Sequence, residues 1–321
     1  MLERTKLLGQ GTSTLRVSRR EEERAIARET RTGEQMHPRR RVPKFLHALQ
    51  EMTAERSLPA ALAEYLSVAH LPILIKGETS GWNSTGKGAL LIGDHRNGLE
   101  YFFLLAALGQ VGRNDLKVIG KPYALSVRLA EVLDLHQEGY ILPVIPRTLA
   151  SNRLNIFNRD IWMRLFNANK LSTQKEAKAI NATAMQQAAS CLAQGSAVGV
   201  FPAGGVKSAT TSAWYRGVGV IIQLLPEEAR EHVVIIPFQF EQFTRFQVVR
   251  TLWLSSKGWA VKPRPLTLNV GRPITVADFL TSETAGSTDP QVITERLRLR
   301  YVQDFQAHPT VQDKNQNSGY S

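Results

Sequence analysis

A histidine five positions ahead of a carboxylate, His95 and Glu100 in "GDHRNGLE", is the pair in this chain best suited to moving a proton. A carboxylate against one imidazole nitrogen sets the tautomer and leaves the other nitrogen as a base, able to take a proton from an alcohol. The residues just upstream invite a different reading, since Gly81, Gly86 and Lys87 nearly spell the phosphate loop G-x-x-x-x-G-K-[ST]. The position that needs a hydroxyl for magnesium is Gly88, and "ALLIG", a strand-like run, follows where a helix N-terminus is required. We therefore read 81–88 as a turn between two strands. No G-x-S-x-G elbow is present, and Cys191 falls inside a small-residue helical pattern, so no covalent nucleophile is expected. With a single cysteine, an intramolecular disulfide and a cysteine-cluster metal site are both excluded. Taken alone, a histidine and a glutamate at this spacing are common, and a structural histidine is the plainer reading.

The elements around the pair place it more sharply. Phe45, Leu46, Leu49 and Met52 form a helical stripe, Pro59 restarts it, and Leu62, Tyr65, Leu66 and Ala69 continue it. Beyond them short apolar strands alternate with helices. "ILIKG", "GALLIG", "KVIG", "YILPVIP", "AVGVF", "HVVIIPFQF" and "LTLNVG" read as strands, and 99–109, 123–135, 176–194, 214–225 and 290–307 as helices. That alternation predicts an α/β domain whose central mixed sheet is mostly buried between flanking helices, with an N-terminal helical segment. His95 then sits where a buried strand ends and a helix begins, at the strand edge where α/β sheets bind ligands. Glu100 lies about one helical turn further on.

Net charge is +12, from 40 Lys+Arg against 28 Asp+Glu, which favours a polyanionic partner: nucleic acid, an anionic membrane or a phosphorylated ligand. Half of that excess falls in residues 1–44, a basic arm with few large apolar residues, expected to be disordered. Residues 45–309 are expected to form one domain (45–70 its N-terminal helices) and 310–321 a flexible tail. Residues 148–175, rich in Asn and Arg with Phe157, Ile161, Trp162, Leu165 and Phe166 on one helical face, read as an insertion that packs on the core, touches lipid or covers a site. No apolar run approaches the ~18 residues that span a bilayer, and the charged N-terminus carries no secretory pattern. A cytosolic chain that meets a membrane only from the side is the expectation.

Ordered blocks over residues 72–275 resemble the glycerolipid acyltransferases, the glycerol-3-phosphate and lysophosphatidate acyltransferases, whose signature is N-H-x4-D. "ILIKGETSGWNSTGKGALLIGDHRNGLEYF" is similar to their first block, and "GKPYALSVRLAEVLDLHQEGYILPVIPR" to the second, with Lys121 near its start and Arg147 closing it. "GVFPAGGVKSATTSAWYRGVG" resembles the third, usually F-P-E-G-T-R-S with a later basic-Gly pair, here Arg216-Gly217. "VVIIPFQF" and "LNVGRPI" fit the rest. The departures are specific. Glu100 stands for Asp. Asp94 stands for Asn, setting a second carboxylate beside His95 that could raise the imidazole pKa. Ala203, Gly205 and Val206 stand for Glu, Thr and Arg, with the cation one step later at Lys207, followed by Ser208. These changes put the acceptor's identity in doubt.

The resemblance implies acyl transfer from a thioester, acyl-CoA or acyl carrier protein, to a hydroxyl of a glycerophosphate or lysophospholipid, with no metal or cofactor. His95 would be the general base and Glu100 its orienting partner. Backbone amides at Gly204 and Gly205 could receive the oxyanion, or serve only as the turn after "AVGVF". Arg147, and with weaker claims Lys207 and Arg216, could grip phosphate, or be surface cations. The aromatics of "EYFFLLAAL" and the 45–69 helices could line an acyl groove, with plain core the favoured reading, and the basic arm would meet anionic lipid. Three other functions stay open: transfer to a non-glycerolipid acceptor, a non-catalytic lipid-binding relative, and nucleic-acid binding through the arm, for which no base-stacking motif speaks.

Overall fold

The computed structural model describes residues 47–79, 81–82, 86–120, 140–144, 174–204, 208–241 and 243–306. The basic arm, the 123–135 helix, residues 148–173 of the 148–175 insertion and the tail lie outside the described residues.

Two helices open the described chain, α1 (His47–Glu55) and α2 (Leu58–Val68). Pro59 sits in the first turn of α2, where its missing N–H costs nothing. Strands β1 (Ile73–Gly77) and β2 (Gly88–Gly93) follow, then α3 (Glu100–Gln110), β3 (Lys117–Gly120) and β4 (Ile141–Pro143). The second half holds α4 (Gln174–Ala193), β5 (Ala197–Val200), α5 (Gly217–Leu224), β6 (Val233–Phe240), α6 (Arg245–Ser255), β7 (Leu266–Val270), β8 (Ile274–Thr275), α7 (Val276–Ser282) and α8 (Pro290–Gln306).

Among the described residues, eight strands form one sheet in the order β1-β7-β6-β2-β5-β3-β4, with β8 on β6. Strands β4, β3, β5, β2 and β6 are parallel, while β7 meets β6 antiparallel and carries β1 parallel to itself. The α/β expectation, a mixed and mostly buried sheet between helices, therefore holds. All six residues of β2 are buried, as a strand covered on both faces demands. Its side chains divide by alternation. Ala89 and Leu91 enter the core under α1, α2 and α3, and Leu90 and Ile92 enter the core under α4, α5, α7 and α8. Each fully buried Leu or Ile contributes about 1.5–3 kcal/mol to folding.

Differences from the sequence reading are local. The strand expected over "YILPVIP" covers only Ile141–Pro143 among the described residues. Helix α5 begins at Gly217, not at 214, because Trp214 and Tyr215 are tied into the preceding loop: the Trp214 indole donates to the Ala209 carbonyl (2.8 Å) and the Tyr215 amide to the Pro202 carbonyl (2.9 Å). The segment "EYFFLLAAL" is core, with Tyr101 to Leu108 all buried. Helices α6 and α7 and strand β8 were not expected.

Candidate functional site

The five parallel strands end on one edge of the sheet, and His95 lies two residues past the end of β2 on that edge. Strand alternation continues through the turn. Gly93 and His95 face the first core, where the His95 ring lies 4.8 Å from the Phe201 ring just past β5. Asp94 faces the other side. Gly93 has to be glycine: a Cβ there would fall 2.3 Å from ring atoms of Phe238, its register partner on β6.

His95 and Glu100 come together. Nδ1 of His95 is 3.2 Å from Oε2 of Glu100, with the histidine side chain 21% exposed and the glutamate 2%. The ring is turned so that its buried Nδ1 has no acceptor in good line, although the separation is within hydrogen-bond reach. Loose alignment of this kind is common in a catalytic pair before substrate binds. The glutamate is held far more firmly than the histidine. It opens α3, and its two oxygens accept the amides of Asn97 (2.5 Å) and Gly98 (2.7 Å). Burial pushes its carboxyl upward. The His95 side chain 3.2 Å away, the Asn97 amide and the glutamate's own amide together outweigh burial and hold it below the ordinary glutamate value. A negative charge at a helix N-terminus is also favoured by the helix dipole. The extra methylene of glutamate is thus used: one carboxylate caps the loop 97–98 and still reaches the imidazole.

Asp94, the second carboxylate beside His95, makes its hydrogen bonds to other groups. It is 3% exposed, and its oxygens accept from the Ala209 amide, from Arg96 Nε (2.7 Å) and from Gln239 Nε2 (3.0 Å). Below it Tyr301 donates to the Phe238 carbonyl (3.0 Å). Burial, with the Asp94 charge adding, holds that hydroxyl well above the ordinary tyrosine value, so it remains a neutral donor.

Ser208 joins this network, accepting from Arg96 Nη2 (3.3 Å) and sharing a hydrogen bond with Thr210 (2.8 Å). Gly204 occupies the turn after Phe201 with φ +61°, and its amide donates to the Phe201 carbonyl (3.1 Å). A Cβ on it would meet the Tyr215 ring at 2.4 Å, so the turn alone requires glycine there. Arg216 is exposed at the start of α5. Lys121, Arg147, Gly205 and Lys207 lie outside the described residues. The strands preceding Lys121 and Arg147, β3 and β4, end on the same edge as β2. No group of three or more metal-binding side chains occurs among the described residues.

Three side chains at the site escaped the sequence reading: Arg96, Asn97 and Gln239. Arg96, one residue after the histidine, is 32% exposed and bridges Asp94 and Ser208. Asn97 donates from Nδ2 to the Phe243 carbonyl (2.7 Å), fastening the loop to the start of α6. The signal for Arg96 was its adjacency to His95. For Gln239 there was none, since its contact with Asp94 spans 145 residues. Two surface depressions, one lined by Ser190, Leu224 and Pro226 and the other by Gly112, Arg113 and Ser196, lie toward the opposite end of the strands from His95.

No family model matches the chain, and no curated protein matches it. Among solved structures, the 1-acyl-sn-glycerophosphate (LPA) acyltransferase PlsC from Thermotoga maritima is similar, at 13% identity over 82% of this chain and 89% of that one, with a TM-score of 0.35. A likeness at that level carries no argument about activity, which has to come from the geometry.

Proposed function

We propose that the protein is an acyltransferase that moves a fatty acyl group from a thioester, acyl-CoA or acyl carrier protein, to a hydroxyl of a glycerophosphate or lysophospholipid. The observation that carries the reading is the half-open His95 set 3.2 Å from a buried, doubly anchored Glu100 at the end of β2. With Nδ1 on the glutamate side, Nε2 takes the proton from the acceptor hydroxyl. The oxygen attacks the thioester carbonyl, giving a tetrahedral oxyanion. Collapse breaks the C–S bond, and the imidazolium returns its proton to the departing thiolate. Glu100 holds the ring and offsets the imidazolium charge. General-base assistance of this kind contributes about 10²–10⁴ in rate.

Arg96 is the described cation nearest in sequence to the base, and its partial exposure suits it to an anionic group of either substrate. Lys121 and Arg147, which follow strands ending on the same edge, are further candidates for phosphate. Anionic lipid is the proposed setting, with the N-terminal arm as one attachment.

The test is incubation of the purified chain with labelled acyl-CoA or acyl carrier protein and a panel of acceptors: glycerol-3-phosphate, lysophosphatidate, other lysophospholipids and simple long-chain alcohols. Transfer to a phosphate-bearing acceptor, lost by 10²-fold or more in His95→Ala, is the expected result. Transfer only to the plain alcohols would move the acceptor class. Undiminished transfer by His95→Ala, or none by the wild type with any pair, would sink the reading.

A further inference from the structure

Helix α6 keeps an apolar face in water. Phe246 is 74% exposed, Val249 48% and Trp253 46%, and at i, i+3 and i+7 they share one side of the helix. Trp259, 60% exposed just beyond the helix, packs edge-on against Trp253 with ring centroids 5.9 Å apart. The helix cannot roll this face inward, because its other side is already fixed. Val248 and Leu252 pack on the core, and the Ser255 hydroxyl donates to the Ala69 carbonyl (3.0 Å). A capping box, Thr244 with Gln247, locks its start.

The charge along this segment has one sign. Arg250, Lys257, Lys262 and Arg264 are exposed and in no ion pair among the described residues. From 242 to 277 the sequence contains no Asp or Glu. Tryptophans amid unpaired cations are the pattern of a surface that lies at a lipid–water boundary, rings at headgroup depth and cations among anionic headgroups. A second copy docked face to face would set like charges against each other. We infer that α6 and the segment to Trp259 dock the protein on an anionic lipid bilayer, separately from the N-terminal arm. The same helix starts at the site: Phe243, one residue before its cap, accepts from Asn97 and packs edge-on against Phe103. A bilayer held by α6 is therefore held beside the His95 loop. The inference does not depend on acyl transfer, and vesicle binding is read without turnover.

The experiment sediments the full chain with vesicles of phosphatidylcholine alone and of equal parts phosphatidylcholine and phosphatidylglycerol. The wild type should partition onto the anionic vesicles, and the Phe246→Ser/Trp253→Ser/Trp259→Ser variant should bind about tenfold or more weaker with an unchanged melting temperature. Brominated lipid should quench the wild-type fluorescence, and the conservative Trp253→Phe/Trp259→Phe variant should still bind while losing most of that quenching. This second variant decides the matter if the serine variant fails to fold. Equal binding by the folded serine variant, or quenching unchanged in the phenylalanine variant, would each overturn the inference.

Discussion

Replacing Glu100 with glutamine preserves the size of a side chain that is 2% exposed and removes its charge and one of its two acceptor oxygens. The carboxylate accepts two backbone amides, Asn97 and Gly98. Glutamine can keep one through its oxygen and turns an NH₂ toward the other. Losing one hydrogen bond to a charged acceptor costs about 1.5–3 kcal/mol. Losing the negative charge in the first turn of α3 adds about 0.3–1 kcal/mol. The variant should therefore be less stable by about 2–4 kcal/mol at neutral pH. The pH dependence supplies a sharper check. Because the folded carboxyl titrates below the ordinary glutamate value, its contribution is fully present above that value and is lost as pH falls through the lower, folded one. The gap between wild type and variant should be widest near neutrality and shrink on acidification below about pH 4. Urea unfolding of both proteins across that range measures it. A neutral-pH difference under about 0.5 kcal/mol, or one that does not narrow in acid, would refute the account of how Glu100 is held.

Three further outcomes follow from the same geometry. Glu100→Asp gives a shorter side chain that cannot span both loop amides and the imidazole; stability should fall by about 1 kcal/mol or more, as read by calorimetry. Gly93→Ala places a methyl 2.3 Å from the fully buried Phe238 ring, so about 1–3 kcal/mol should be lost, and a thermal scan matching wild type would contradict the packing. Asp94→Asn removes the charge that three donors share, and amide hydrogen exchange at Ala209 should speed up by tenfold or more, about 1.4 kcal/mol of lost local protection, while His95 keeps its contact with Glu100.

The sheet and its flanking helices were legible because burial leaves a period in the chain. "GALLIG" is apolar throughout since both faces of β2 are covered, and "GDHRNGLE" sits at its end because strand-to-helix turns occur there. Residue types and order were enough to pair His95 with Glu100. Helix α6 was missed for a physical reason: it is apolar on two sides, one packed and one exposed, so no single stripe emerges, although "TRFQ" carries its capping box. The environment of Asp94 was beyond sequence reasoning for a different reason. Adjacency suggested that it would act on His95, but successive side chains at a strand end point to opposite faces, and two of the three donors that claim it, Ala209 and Gln239, are more than a hundred residues away. Local pattern determined which elements form and which residues stand at the strand edge. Only the closing of β5, β6 and their loops around that edge decided that the neighbouring carboxylate, Asp94, is tied to Ala209 and Gln239 on the far side of the strand end.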